Sequence, residues 1–350
     1  MARVVQFTAP RQAEVVEFQP EALPPGHVRV RTAFSGISAG TELTAYRGTN
    51  PYLTRTWDPE ARIFRDAEAG VAFPVVGWGY SETGVVSEVG EGVTGLAEGD
   101  EVWGIWGHRS EAVLPAEKLL GHQLPPGVTL SSAAFARVGA IAFNAILSAR
   151  INLGELIAIF GQGVIGLLAT RLATLSGAQV VTVDAVESRR AMSLTYGALT
   201  SFTPGTAAEH IRAFTPSPSS SGAEGVGADA VIELSGVYAA LHEAIRAVGV
   251  GGRVVASGFY QGDGNGLRLG EEFHHNRVEL ISSQIGGVPV ELSGRWSVDR
   301  LQQTFLGLVG QGAVDVEPLI SHRVPIDNAA DAYTLLDTRP GDALQVLLEF

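Results

Sequence analysis

Hydrophobic and polar residues alternate with period two near the start of the chain, in Val4-Val5-Gln6-Phe7, in Glu14-Val15-Val16-Glu17-Phe18 and, after Pro24-Pro25-Gly26, in Val28-Arg29-Val30-Arg31. That period sends successive side chains to opposite faces, so with the Pro/Gly punctuation these segments predict short antiparallel strands. The pattern continues in Gly84-Val85-Val86-Ser87-Glu88-Val89 and Gly99-Asp100-Glu101-Val102-Trp103, which predicts a compact, β-barrel-like domain. Residues 50–73 are mixed and charged and read as a helix or an irregular excursion. From Leu130 the period becomes helical through residues 133–149. Strands at 156–160, 179–183, 230–234, 252–257 and 278–282 then mix with helices at 167–175 and 239–248. Such alternation predicts right-handed βαβ units around a doubly wound parallel sheet. A helix at 298–310 and a strand-rich tail ending in Leu344-Gln345-Val346-Leu347-Leu348-Glu349 are expected to return to the first domain. The low-complexity tract Thr215-Pro216-Ser217-Pro218-Ser219-Ser220-Ser221-Gly222 reads as a mobile surface loop without functional weight.

Between the strand at 156–160 and its helix stands Gly161-Gln162-Gly163-Val164-Ile165-Gly166. In a G-x-G-x-x-G turn the first glycine permits the tight bend, the second brings backbone up to a pyrophosphate, and the third lets helix and strand pack closely. The helix start, with Val164 and Ile165, offers free N–H groups to phosphate. The next strand ends in Asp184, 18 residues beyond Gly166, near the roughly 20-residue spacing of a ribose-binding acid. Strand, helix and acid together turn a weak motif into a dinucleotide site. Asp184 accepts both ribose hydroxyls of NAD and repels a 2'-phosphate, which favours NAD over NADP. Arg189-Arg190 are the opposing signal, able to neutralise a phosphate or to stand as a solvated pair at a helix start. Ser235-Gly236 and Gly258-Phe259-Tyr260 follow strand ends, where an open α/β sheet binds its ligand, and are expected to line the cofactor crevice, with Tyr260 in reach of a substrate. The expected class is α/β, with a β-rich domain over residues 1–124, a dinucleotide-binding domain over 125–286 and a return over 287–350.

A length of 350 residues exceeds the usual single core, and 45% hydrophobic content supports two. The net charge of -13 argues against nucleic acid or an anionic membrane as partner. No uncharged apolar stretch reaches about 18 residues. Met1-Ala2-Arg3 runs into a strand pattern and not a signal peptide. A cytoplasmic protein acting on a small molecule is the expectation. Cysteine is absent, which excludes disulfides, thiolate nucleophiles and cysteine-bearing metal sites; Lys118 is the only lysine, which limits Schiff-base chemistry to that residue. His108, His274 and His275 invite a metal hypothesis, but adjacent histidines seldom face one ion, and all three read as surface or interface residues.

Several segments carry a resemblance: Ser35-Gly36-Ile37-Ser38-Ala39-Gly40-Thr41-Glu42, residues 76–86, Glu98-Gly99-Asp100-Glu101-Val102, Leu124-Pro125-Pro126-Gly127 and Gly251-Gly252-Arg253-Val254-Val255. With the domain order, they make the chain resemble the medium-chain dehydrogenase/reductase superfamily over essentially its whole length. Residues 35–42, Gly79-Tyr80-Ser81 and Glu272-Phe273-His274-His275-Asn276-Arg277 are similar to its bacteriochlorophyllide a dehydrogenase-like branch. The resemblance implies a GroES-like catalytic domain, a Rossmann domain for NAD(P), alcohol dehydrogenase or reductase activity, and a homodimer. Alcohol dehydrogenases of the superfamily hold a catalytic zinc through a cysteine, a histidine and a cysteine or acid, where this chain places Ser38, Tyr80 and Arg137. Serine is not a usual ligand and arginine repels the ion, so no zinc is expected. Residues 104–110 are too short for the superfamily's structural zinc loop.

Without zinc, a hydroxyl or acid must serve as general acid/base. Tyr80 is the first candidate; the other reading makes it an aromatic wall beside Trp78. Ser38 and Thr41 either bind the substrate oxygen or nicotinamide ribose and extend a proton relay, or serve as turn residues. Glu42 lies where the superfamily has an acid. Arg137 either grips an anionic group of substrate or cofactor, or pairs with Glu42 or Glu82. The expected activity is zinc-independent hydride transfer between NAD(H) and a secondary alcohol or ketone in an interdomain cleft. An NADPH-dependent quinone or enoyl reductase, and a nucleotide-binding protein without turnover, are the alternatives. The branch points to a tetrapyrrole side-chain alcohol, whereas similar chains use sugars or polyols.

Overall fold

Strand β3 (His27–Ile37) shows how the alternating pattern resolves: Val28, Val30 and Thr32 are buried, while Arg29 faces outward and pairs with Glu88 and Glu111. This computed structural model describes residues 1–66, 71–214 and 226–350, so the tract at 215–222 lies outside them. The chain divides into two units, Met1–Arg137 with Leu306–Phe350, and Val138–Phe305.

Ahead of β3 the first unit carries β1 (Ala2–Ala9) and β2 (Gln12–Phe18), and after it helix α1 (Thr41–Arg47), β4 (Arg55–Asp58), β5 (Ile63–Asp66), β6 (Val75–Val76), β7 (Glu82–Val89), β8 (Glu101–Gly104) and β9 (Glu111–Pro115). Helix α2 (Leu130–Ala133) follows, and α3 (Ala136–Ala149) runs on into the second unit. One sheet runs β2-β1-β6, and β3 pairs antiparallel with β7 and β9 in another. Residues 50–66 correct the expected helix or irregular excursion, because β4 and β5 form a hairpin. Trp57 and Phe64 face each other across it at 5.1 Å, and the charges of Arg65 and Asp58 beside them masked the alternation.

The second unit is a parallel sheet. Its elements are β10 (Leu156–Phe160), α4 (Val164–Leu175), β11 (Gln179–Val183), α5 (Glu187–Thr195), β12 (Thr200–Phe202), α6 (Ala207–Ala213), β13 (Ala228–Glu233), α7 (Tyr238–Ala247), β14 (Val248–Ala256), α8 (Glu272–His275) and β15 (Glu279–Ser282). The strand order is β12-β11-β10-β13-β14-β15, with β10 buried along its whole length as a central strand covered on both faces must be. Val248 belongs to β14 and not to the preceding helix.

Helix α9 (Val298–Gly310) leads to β16 (Ile320–Pro325), α10 (Ala329–Thr338) and β17 (Gln345–Glu349); β17 pairs with β3. The tail is thus not strand-rich throughout. Ala329, Ala332, Tyr333 and Leu336 form the buried helical stripe of α10, spaced i, i+3, i+4, i+7. Among the described residues no helix is long and apolar enough to cross a membrane.

Candidate active site

In the second unit the glycine turn has the three properties its chemistry needs. Gly161 adopts φ +85°, a conformation costly for other residues. A Cβ on Gly166 would stand 1.8 Å from the Gly161 carbonyl oxygen, whereas one on Gly163 would meet no atom within 4 Å. The first contact packs helix on strand; the open space at Gly163 is where a pyrophosphate can approach backbone. Gly163 caps α4 without a side-chain hydrogen bond, leaving the N–H groups at Val164 and Ile165 for an anion. Gln162 is fully buried and ties the turn to α4 by accepting from Thr170 Oγ1 at 3.0 Å. Asp184, at the end of β11, accepts from Gln162 N at 2.6 Å and from Val186 N at 2.7 Å. These residues fit a dinucleotide. Arg190 donates to the carbonyls of Asp184 and Ala185, and Arg189 is partly buried beside it on α5.

The carboxyl ends of β13 and β14 meet through Glu233, which the sequence did not single out. Its buried carboxylate accepts from Ser235 N at 2.8 Å, Gly236 N at 3.2 Å, the Ser235 hydroxyl and the Tyr260 hydroxyl. Burial raises the Glu233 pKa, against the pull of those donors. A Cβ on Gly258 would lie 2.3 Å from Gly236 N, so the two loops touch, and Phe259 between Gly258 and Tyr260 is exposed.

In the first unit α1 starts immediately after β3 and its loop, which brings Ser38, Thr41 and Glu42 together. The Tyr80 hydroxyl donates to Ser38 Oγ. Burial and the charge of Glu42 push the Tyr80 pKa up to about 12, while hydrogen bonds with Ser38 and Thr41 and the charge of Arg137 pull it down. The other four residues expected to carry the chemistry, Ser38, Thr41, Glu42 and Arg137, therefore all act on the Tyr80 phenol. Glu42 is fully buried and accepts from Tyr333 Oη at 3.1 Å; His108 Nε2 stands 2.7 Å from the same oxygen. Glu82 receives the Ser35 hydroxyl at 3.2 Å and Trp106 N at 2.7 Å. Ser35 and Glu82 are opposite partners in the β3–β7 ladder, which places their side chains on one face.

His108 corrects the surface reading, because it is fully buried with both ring nitrogens engaged, whereas His274 and His275 are exposed on α8. Ser35, His108 and Tyr333 were missed as site residues because they come from three distant segments and share no motif spacing.

Residues 164–298 match the family described as zinc-binding dehydrogenase. The D-guloside 3-dehydrogenases of Shigella flexneri and Escherichia coli K12 are 29% identical to this chain, each match covering 98% of both sequences. A sorbitol dehydrogenase of Halalkalibacterium halodurans is 25% identical over 95% of this chain and 94% of its own. The 2R,3R-butanediol dehydrogenase of Bacillus subtilis superposes with a TM-score of 0.79 at 19% identity, covering 100% of both chains. The fold is that of the medium-chain dehydrogenases. Other structures with this medium-chain fold were solved with cofactor: a Sinorhizobium meliloti 1021 protein described as a putative zinc-binding dehydrogenase, bound to NADP (TM-score 0.77, 20% identity, 100% and 99% coverage), and an alcohol dehydrogenase of E. coli CFT073 complexed with NADH (0.77, 19%, 100% and 99%).

Proposed function

We propose that the chain is an NAD-dependent medium-chain dehydrogenase that oxidises a secondary hydroxyl of a sugar or polyol derivative, or reduces the matching ketone, with Tyr80 in place of a metal. The observation that carries this reading is the Tyr80 phenol, bonded to Ser38 and Thr41 and held protonated; the other unit carries an intact dinucleotide turn. Bound NAD(H) supplies the hydride chemistry. Gly161, Gly163 and the N–H groups at Val164, Ile165 and Gly166 hold the pyrophosphate, and Asp184 takes the ribose hydroxyls and rejects a 2'-phosphate. Ser235, Gly236, Gly258, Phe259 and Tyr260 form the rim beyond the strand ends, with Glu233 fixing its shape. Arg189, next to Arg190 on α5, is assigned to neutralising a cofactor phosphate. In reduction, Tyr80 donates its proton to the carbonyl oxygen, and Ser38 and Thr41 hold the phenol in line.

Arg137 is assigned to the substrate side because its charge acts on Tyr80. Zinc does not fit at Ser38, Tyr80 and Arg137: the hydroxyls bond to each other, and the guanidinium charge opposes a cation. The sugar or polyol class is favoured over a tetrapyrrole alcohol because the guloside and sorbitol dehydrogenases match nearly the whole chain.

The test is oxidation of a panel of glycosides, polyols and simple secondary alcohols by chelator-treated protein, with NAD and NADP compared by calorimetry. Turnover of a carbohydrate with NAD is expected. Stoichiometric zinc that survives purification and is needed for activity, or a strong NADP preference, would overturn the metal-free or the Asp184 assignment respectively.

A further inference from the structure

Tyr80 needs only Ser38 and Thr41 beside it, yet the first unit buries a second layer of polar groups beneath: Ser35, Glu42, Glu82, His108 and Tyr333. Hydrogen counting sets the state of His108. Its Nε2 stands 2.7 Å from Glu42 Oε2, and an ionised carboxylate only accepts, so Nε2 carries a proton. Its Nδ1 meets Ser35 Oγ; with the Ser35 proton directed to Glu82 Oε1, 3.2 Å away, Nδ1 carries a proton too. The ring is then a cation between Glu42 and Glu82; burial raises the Glu82 pKa, against the pull of the His108 charge and of Trp106 N. Burial opposes that charge, but the charge and hydrogen bond of Glu42 and the charge of Glu82 outweigh it and raise the His108 pKa.

The groups facing the ring come from every element around it: Glu42 on α1, Ser35 on β3, Glu82 on β7 and the Tyr333 ring on α10, 6.3 Å away between centroids. The loop before β7 closes the cage. A Cβ on Gly79 would stand 2.9 Å from His108 Nε2 and 2.8 Å from Glu82 Oε1, and the next residue is Tyr80. Among the described residues Glu42 Oε1 has no hydrogen-bond partner though buried, and the Glu42 charge acts on the phenol.

We propose that His108 is a positioning residue for the reaction: clamped between Glu82 and Glu42 and packed against Gly79, it fixes the Glu42 carboxylate and the loop that carries Tyr80, so that the phenol is held in place to donate its proton. The proposal rests on the assignment of Tyr80 as the acid. Without the cation Glu42 becomes an uncompensated buried charge, and the cage around it rearranges. Tyr80, kept protonated chiefly by burial, then loses the added charge of Glu42 and the support of its loop.

The test uses the full chain with NADH and the ketone of whichever panel alcohol is turned over. His108→Gln keeps a neutral donor towards Glu42 and removes the charge. It is expected to lower kcat about tenfold and to move the alkaline limb of the kcat profile to lower pH, with KM within about twofold. In a Glu42→Gln background the same change is expected to add nothing, since coupled residues do not add. An equal loss in both backgrounds, or an unchanged kcat and pH limb, would overturn the proposal. A second readout needs no variant: nitrogen-15 spectra of the native histidines should show one ring doubly protonated at about pH 8, well above the ordinary value near 6.5. A buried ring that is neutral at that pH overturns it equally. Tyr80→Phe separates the two ideas. Full kcat in that variant sinks the Tyr80 assignment and the proposal with it; a large loss there beside an unaffected His108→Gln overturns only the role of His108.

Discussion

The two units build their polar sites by opposite means. In Val138–Phe305 the site is backbone: glycines, helix N–H groups and one acid at a strand end, with open space in front of Gly163. In Met1–Arg137 and its returning tail it is side chain: hydroxyls, carboxylates, an imidazole and a phenol bonded to one another in a buried cluster. The first construction suits a ligand whose recognition is by charge and shape of phosphate and ribose; the second suits a proton, whose position depends on the charge state of every neighbour.

The contrast makes different losses separable. Tyr80→Phe should lower kcat by about 10²–10⁴-fold, the range of one general acid, while NADH affinity by fluorescence titration stays unchanged. A parallel loss of NADH affinity would break the division of labour. Gly163→Val places a side chain in the open space before the turn and should weaken NADH binding at least tenfold, or about 1.4 kcal/mol, without lowering the melting temperature. A lowered melting temperature with intact binding would show that the space is not the phosphate site. Gly166→Ala should do the reverse of Gly163→Val in kind: its Cβ meets the Gly161 carbonyl, so about 1–3 kcal/mol of unfolding free energy is lost in denaturant titration.

The smallest effect is on pH. A group whose pKa is raised on folding contributes stability that is complete below its unfolded value and is lost as pH rises through the folded one. For His108 that window opens above about 6.5. The urea midpoint should therefore fall as pH rises from neutrality, and His108→Gln should flatten the decline. A midpoint that rises over that range would contradict the imidazolium.

The same contrast decided what the sequence could reveal. The glycine turn, β10 and Asp184 are readable because the physics is local: three glycines within six residues and an acid one strand later. Strands such as β3 are readable because burial imposes period two. The cluster around His108 draws on β3, α1, β7, α10 and the segment before β9, and no spacing along the chain records that Ser35 and Glu82 are cross-strand partners or that Tyr333 reaches Glu42. Glu233 was passed over for a related reason, since a glutamate at the end of an apolar strand reads as its polar terminus until the loops from β13 and β14 fold onto it. The β4–β5 hairpin escaped because its aromatic pair is interleaved with charges that pair across the strands.

Asp184 carries one more implication, for attempts to re-engineer the chain. Its two oxygens already tether Gln162 N and Val186 N, so the residue proposed to read the ribose is also the splint of the loop proposed to cradle the phosphates. Substituting it to admit a 2'-phosphate would release the turn at the same stroke. A redesigned variant with altered coenzyme preference would have to supply a new acceptor for the Gln162 amide before it could gain from a new cation nearby.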